Sequence, residues 1–249
     1  MEKRVIWRGM LAGATAGVLA FVFARIFLEP VIGRAIDYEG GRGEAESAMT
    51  GVHEHEMEVF TRGVQANIGM GFGVLAFSVA MGALFSVAFI VAYTRFATAS
   101  VRAQSLAMAA VAFVVVYFVP FLKYPANPPS IGEPETIGVR TALYFEMILI
   151  AVAALVLAVL LGRSLLTRLG GWNASLIATL GFIGIVASVQ FVLPDVNEVP
   201  DDFPAVVLWR FRLASLGTQL VLWASFSVIF GVLAERAFFA LRPSSRLNQ

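Results

Sequence analysis

The chain has 249 residues, 59% of them hydrophobic and 14% charged, with a mean hydropathy of +0.81, whereas soluble domains carry about a quarter charged residues. That excludes a water-soluble domain and leaves length for roughly six crossings of a ~30 Å hydrocarbon layer at about 20 residues each. A net charge of +1 offers no basic field to nucleic acid, and zero cysteines exclude disulfides, thiolate metal sites and a cysteine nucleophile.

The first apolar run, Ile6 to Leu28, follows Lys3, Arg4 and Arg8. It is long for a signal-peptide core and ends at Arg25 and Glu29-Pro30 without a small-residue cleavage site, so it reads as a retained helix. Five more runs follow: Val64 to Tyr93, Ser105 to Leu122, Val139 to Leu161, Trp172 to Leu193, and Ala205 to Phe239. None shows strand alternation, and backbone groups in lipid must be satisfied within the segment, so the expected fold is an all-α integral membrane protein with six transmembrane helices. Residues 1–249 then form one polytopic domain, with an outer loop over 29–62.

Positive residues in short loops stay in the cytoplasm. The N-terminus, Arg95 with Arg102, Arg163 with Arg168, and Arg236, Arg242 and Arg246 all fall on one side, where the acids are Glu2 and Glu235. Opposite lie Glu29 to Glu58, then Glu133 and Glu135, then Asp195, Glu198, Asp201 and Asp202. The expected topology therefore has both ends inside and the acidic face outside. A weak repeat supports three helical hairpins: Phe27-Leu28-Glu29-Pro30, Phe118-Val119-Pro120 and Phe191-Val192-Leu193-Pro194 end the outward runs, and Arg62, Arg140, and Arg210 with Arg212 open the returning ones.

Both histidines stand in one motif of the first outer loop, His53-Glu54-His55-Glu56, with Glu58 two residues on. Imidazole nitrogen with carboxylate oxygen suits borderline divalent ions such as Co²⁺, Ni²⁺ or Zn²⁺, and two histidines one residue apart on extended chain face the same way. The bland alternative is a solvated acidic loop. HExxH is absent, because Met57 stands where its second histidine belongs. Glu146 is the only acid lying well over one helical turn inside a run and is expected to pair with Arg140, Arg210 or Arg212; with Arg62 it marks either structural salt bridges or an ion path. Gln65, Asn67, Gln190 and Gln219 either line that path or bond between helices. Gly9, Gly13 and Gly17, and Gly69 with Gly73, have the GxxxG spacing of close helix packing. There is no P-loop, no dinucleotide fingerprint and no nucleophile-base constellation, so an enzyme is not expected.

The glycine-rich first helix, the His/Glu loop before Arg62, the run Phe118-Val119-Pro120-Phe121-Leu122-Lys123-Tyr124-Pro125-Ala126-Asn127-Pro128-Pro129, and Phe203-Pro204 through Leu208-Trp209-Arg210-Phe211-Arg212 and Ser215-Leu216-Gly217 resemble the CbtA family of predicted cobalt transporter subunits along essentially the whole chain. The resemblance implies cobalt uptake linked to cobalamin production, beside a small single-span partner, CbtB, with a histidine-rich tail. The expectation is a permease or permease subunit in the cytoplasmic membrane, with a divalent cation as substrate, no cofactor, and self-association left open. Outer acids would concentrate the ion, His53 and His55 capture it, and Lys123, Asn127 and nearby prolines stiffen the mouth. Two other readings remain: an anion or small-solute transporter using the arginines, and a non-conducting accessory subunit.

Overall fold

The computed structural model describes residues 2–51, 60–96, 100–129, 131 and 136–239, with side chains not described at 46, 50, 96 and 239. Among these residues all regular structure is helical. Five helices are long and apolar enough to cross a membrane: α1 (Glu2–Met49), α2 (Arg62–Arg95), α3 (Val101–Lys123), α4 (Ile137–Val192) and α5 (Ala205–Phe238). Between 17% and 33% of the most apolar window of each is buried. The remaining apolar surface points outward, which suits lipid and not water.

Five helices replace the six expected, and the difference lies at 162–171. The sequence there, Gly-Arg-Ser-Leu-Leu-Thr-Arg-Leu-Gly-Gly, contains good helix formers and no proline, so helix runs up to a single non-helical residue where a longer loop was expected. Only Gly170 departs, at φ 73°, ψ 167°, a region that essentially glycine alone occupies. The chain doubles back there: a Cβ on Gly162 would lie 3.2 Å from the Ala178 Cβ, a contact impossible across 16 residues of straight helix. The segment 29–62 also differs from an outer loop, since helix continues to Thr50 and ends at Gly51 in the left-handed region at φ 69°. At 1.5 Å per residue the 48 residues of α1 extend about 72 Å, more than twice a bilayer's hydrocarbon thickness.

The helices fall into two compact units, residues 1–111 with 205–249, and residues 112–204. In the first, α1 packs on α2 through small residues. Gly9, Gly13 and Gly17 face Ser78, Gly82 and Ser86, a second small-residue stripe at the same four-residue spacing. A Cβ on Gly13 would overlap the Ser78 carbonyl, and one on Gly82 the Gly9 carbonyl. Gly73 has open space around its Cβ position, so the Gly69/Gly73 motif is not the one that packs. The Ser78 and Ser86 hydroxyls donate back to Val74 and Gly82 carbonyls at 2.6 and 2.7 Å, which hides them from the hydrocarbon. α5 joins α2 through Phe85, Phe89, Phe226 and Phe230, with Phe85 edge-on to Phe226 at 4.9 Å. Its C-terminal half is tied by Arg8, which donates to the Leu233 carbonyl at 2.7 Å, by Arg102 on Glu235 at 2.5 Å, and by the Ser105 hydroxyl on the Ser227 carbonyl. In the second unit, Val115, Val119 and Tyr124 pack with Leu143, Met147, Ala151 and Ala154 of one arm of α4 and with Val186 of the other.

Three turns are π-helical: Ala24–Leu28, Gln65–Gly69 and Phe113–Phe118. The first and third come one residue before Pro30 and Pro120. Proline has no N–H and its ring crowds the carbonyl four residues back, and the wider turn relieves that clash without breaking the helix.

Gly82→Ala is expected to lower the thermal unfolding midpoint of the detergent-purified chain, by an overpacking cost of about 1–3 kcal/mol, while Gly73→Ala leaves it unchanged. Gly170→Ala strains the reversal of α4 by a similar ~1–3 kcal/mol; a midpoint equal to that of the unsubstituted chain would mean that the reversal does not depend on glycine.

Candidate functional site

The expected metal residues His53, Glu54, His55, Glu56 and Glu58 lie outside the described residues. Among the described residues no group of three His, Asp or Glu side chains is placed to hold a metal ion. The other candidates divide between the two units.

In the first unit a side-chain hydrogen bond links the π turns of α1 and α2. Arg25 Nε donates to Asn67 Oδ1 at 3.0 Å, and Asn67 Nδ2 donates to the Gly63 carbonyl at 2.8 Å. One helical turn further along α1, Glu29 Oε1 holds Arg62 Nη2 at 2.5 Å. Gln65 Nε2 donates to the Phe60 carbonyl at 3.0 Å, closing the start of α2. Glu29 is 9% exposed, and its Oε2 is buried with no hydrogen-bond partner among the described residues. Arg62, Gln65 and Asn67 therefore share one polar belt, to which Arg25 and Glu29 also belong. A carboxylate followed by proline at the end of an apolar run is the signal that singles Glu29 out from the loop acids.

In the second unit Glu198 takes Arg140 Nη1 and the Thr136 hydroxyl on its two carboxylate oxygens. Its side chain is only 2% exposed. Arg140 therefore pairs with Glu198 and not with Glu146, which sits exposed on α4 with no ion pair among the described residues. Lys123 pairs with Asp195, and Tyr124, one residue past α3, donates its hydroxyl to the Pro194 carbonyl at 2.9 Å. Burial pushes the Tyr124 hydroxyl above its ordinary range, partly offset by Lys123, so it stays protonated as a donor. Gln190 Nε2 donates to the Val119 carbonyl at 3.0 Å. That carbonyl is four residues before Lys123, in the short helix that follows the π turn, so the amide ties α4 to α3 instead of standing in a free channel. The Lys123 and Tyr124 bonds fasten the start of the Lys-Tyr-Pro-Ala-Asn-Pro-Pro segment to Pro194 and Asp195.

Arg210 is exposed on α5 without an ion pair among the described residues, Arg212 is half-buried there, and Gln219 is half-buried deeper in the same helix. Within each unit the arrangement can neutralise charge at helix ends; what it offers a ligand in the first unit is a buried carboxylate oxygen beside two arginines.

Comparison with curated proteins and with solved structures finds no match. A family model does match, over residues 2–235, nearly the whole chain. The chain belongs to the CbtA family, described as probable cobalt transporter subunit.

Proposed function

We infer that this chain is the membrane-embedded permease part of a cobalt transporter, and the observation that carries the reading is a family match spanning all five membrane-capable helices but the last few residues of α5. A subunit works with other subunits, and a single-span, histidine-rich protein of the CbtB kind is the partner expected. It would supply the imidazoles that this chain, with two histidines, lacks.

The arginine-bearing ends face the cytoplasm in this reading, and the acid-bearing connections face outward. In this reading α4, which doubles back at Gly170, has both its ends on one side, and the end of α5 lies beside the start of α1, where Arg8 reaches the Leu233 carbonyl. Outer acids raise the local concentration of divalent cation, His53 and His55 capture it, and Glu146 stands ready on α4 as an acid in the spanning region. Arginines beside the route argue against a cation only while they are uncompensated. Glu29 and Glu198 neutralise Arg62 and Arg140, which supports cation over anion transport.

Radiocobalt uptake at limiting Co²⁺ should fall severalfold when His53 and His55 are both changed to Ala at equal membrane abundance; unchanged uptake removes the loop from the route. The chain has no cysteine, so single introduced cysteines report orientation cleanly. Met49→Cys in intact cells is expected to react with a membrane-impermeant maleimide, and Ser164→Cys only after the membrane is opened. The reverse pattern would overturn the orientation.

A further inference from the structure

Two ion pairs tie opposite ends of the first unit, Arg62 with Glu29 and Arg102 with Glu235. In each the acid is the more buried partner and the arginine the more exposed, but they differ in one respect. Glu29 keeps an oxygen, Oε2, that is buried and has no hydrogen-bond partner among the described residues, and Glu235 does not. Arg62 balances the carboxylate's charge through Oε1, but a buried oxygen left without a donor is costly, and it marks a place that a further donor or cation can fill.

The backbone beside it adds a second oxygen. The Glu29 N–H bonds the Ala24 carbonyl, five residues back. In the same register the next donor would serve the Arg25 carbonyl, but that donor belongs to Pro30, which has no N–H. The Arg25 carbonyl loses that partner and, like all helix carbonyls, points toward the C-terminal turn where Glu29 sits. Helical side chains lean toward the N-terminus, so the Glu29 carboxylate is directed back over this turn. A carboxylate oxygen and a backbone carbonyl are the donors that hard and borderline divalent cations take.

We propose that Glu29 and the Arg25 carbonyl form a divalent-cation station, in which the Arg62 guanidinium stands in for the ion until the ion displaces it. The proposal rests on the cation-transport reading. A divalent ion carries twice the charge of a guanidinium and approaches a carboxylate oxygen to about 2.0–2.2 Å, closer than the nitrogen of any N–H donor, so once its hydration shell is shed it gains more from the carboxylate than the arginine does. Arg62 is half exposed and on a long stem, free to swing outward. When the ion moves on, Arg62 returns and the carboxylate is never left bare. The station thus works by exchange between a tethered cation and a free one.

The test uses the full unsubstituted chain in nanodiscs. Phenylglyoxal modification of Arg62, read by peptide mass spectrometry, should accelerate severalfold when Co²⁺ is added and not when the same ionic strength is reached with Na⁺. Modification of Arg102 should not respond to Co²⁺. An Arg62 rate indifferent to Co²⁺, or slowed by it, overturns the station. Equilibrium binding of radiocobalt then separates causes: with His53 and His55 both changed to Ala, Glu29→Gln should weaken binding about tenfold, the scale of one lost charged contact. Arg62→Gln should tighten it, an outcome that damage to folding cannot imitate, and Glu235→Gln should leave it unchanged. Equal weakening by Glu29→Gln and Arg62→Gln would mean an ordinary structural salt bridge and would overturn the proposal. If the unsubstituted chain neither binds nor takes up cobalt, the transport reading itself fails; if it does so while Arg62 stays indifferent, only the station fails.

Discussion

In hydrocarbon there is no water to take up an unpaired charge or an unbonded backbone group, and a charge at the centre of a helix costs about 2.5–3.5 kcal/mol even on the most lenient scale. The placement of polar residues in both units follows from that cost. Ser78 and Ser86 spend their hydroxyls on their own helix, Gln190 spends its amide on the Val119 carbonyl, and Arg8 reaches a carbonyl near the end of α5. The π turns answer the same demand where Pro30 and Pro120 remove a donor from a helix that must nevertheless continue. Close approach of α1 to α2 depends on it too. With no hydrophobic drive between helices in lipid, packing must come from contact, and two facing small-residue stripes allow the backbones to touch.

Much of this was legible in the residues. Composition alone requires membrane helices, and the expected runs fall inside the observed ones, Val64 to Tyr93 within Arg62–Arg95 and Ser105 to Leu122 within Val101–Lys123. What failed was the reading of polar punctuation as loop. Arg163, Arg168 and the glycines between the fourth and fifth runs looked like a break, yet a helix tolerates arginine and leucine well and needs only one glycine to turn. The residues after Pro30 looked like loop because of their charges and glycines. They continue as helix because the π turn before Pro30 relieves the proline's clash, and because Val31, Ile32 and Ala35 give one face something to bury.

The pairing of charges was legible only in kind. Sequence spacing says that Arg62, Arg140 and Glu146 need partners; it does not say which acid, because partners come from segments tens of residues away whose register is set by packing. Glu198, expected as one acid among several in an outer loop, turns out to be nearly fully buried on Arg140 and Thr136. Asp195, three residues earlier, pairs with Lys123 while staying almost fully exposed. Two acids of one loop thus have opposite energetic meaning. An exposed pair contributes little, whereas removing one partner of a buried pair leaves an uncompensated charge.

That asymmetry has a consequence for transport. A long guanidinium stem lets the charge snorkel outward while a short carboxylate stays where the backbone puts it. In the Arg62, Arg102 and Arg140 pairs the carboxylate is the fixed, buried member and the arginine the movable, more exposed one. Anything that exchanges with such a pair from the surrounding water meets the arginine first and must carry positive charge to replace it. Lys123 with Asp195 has the reverse design, a buried cation capped by an exposed acid, so both arrangements occur in this protein and an exchanging ion of either sign meets a different pair.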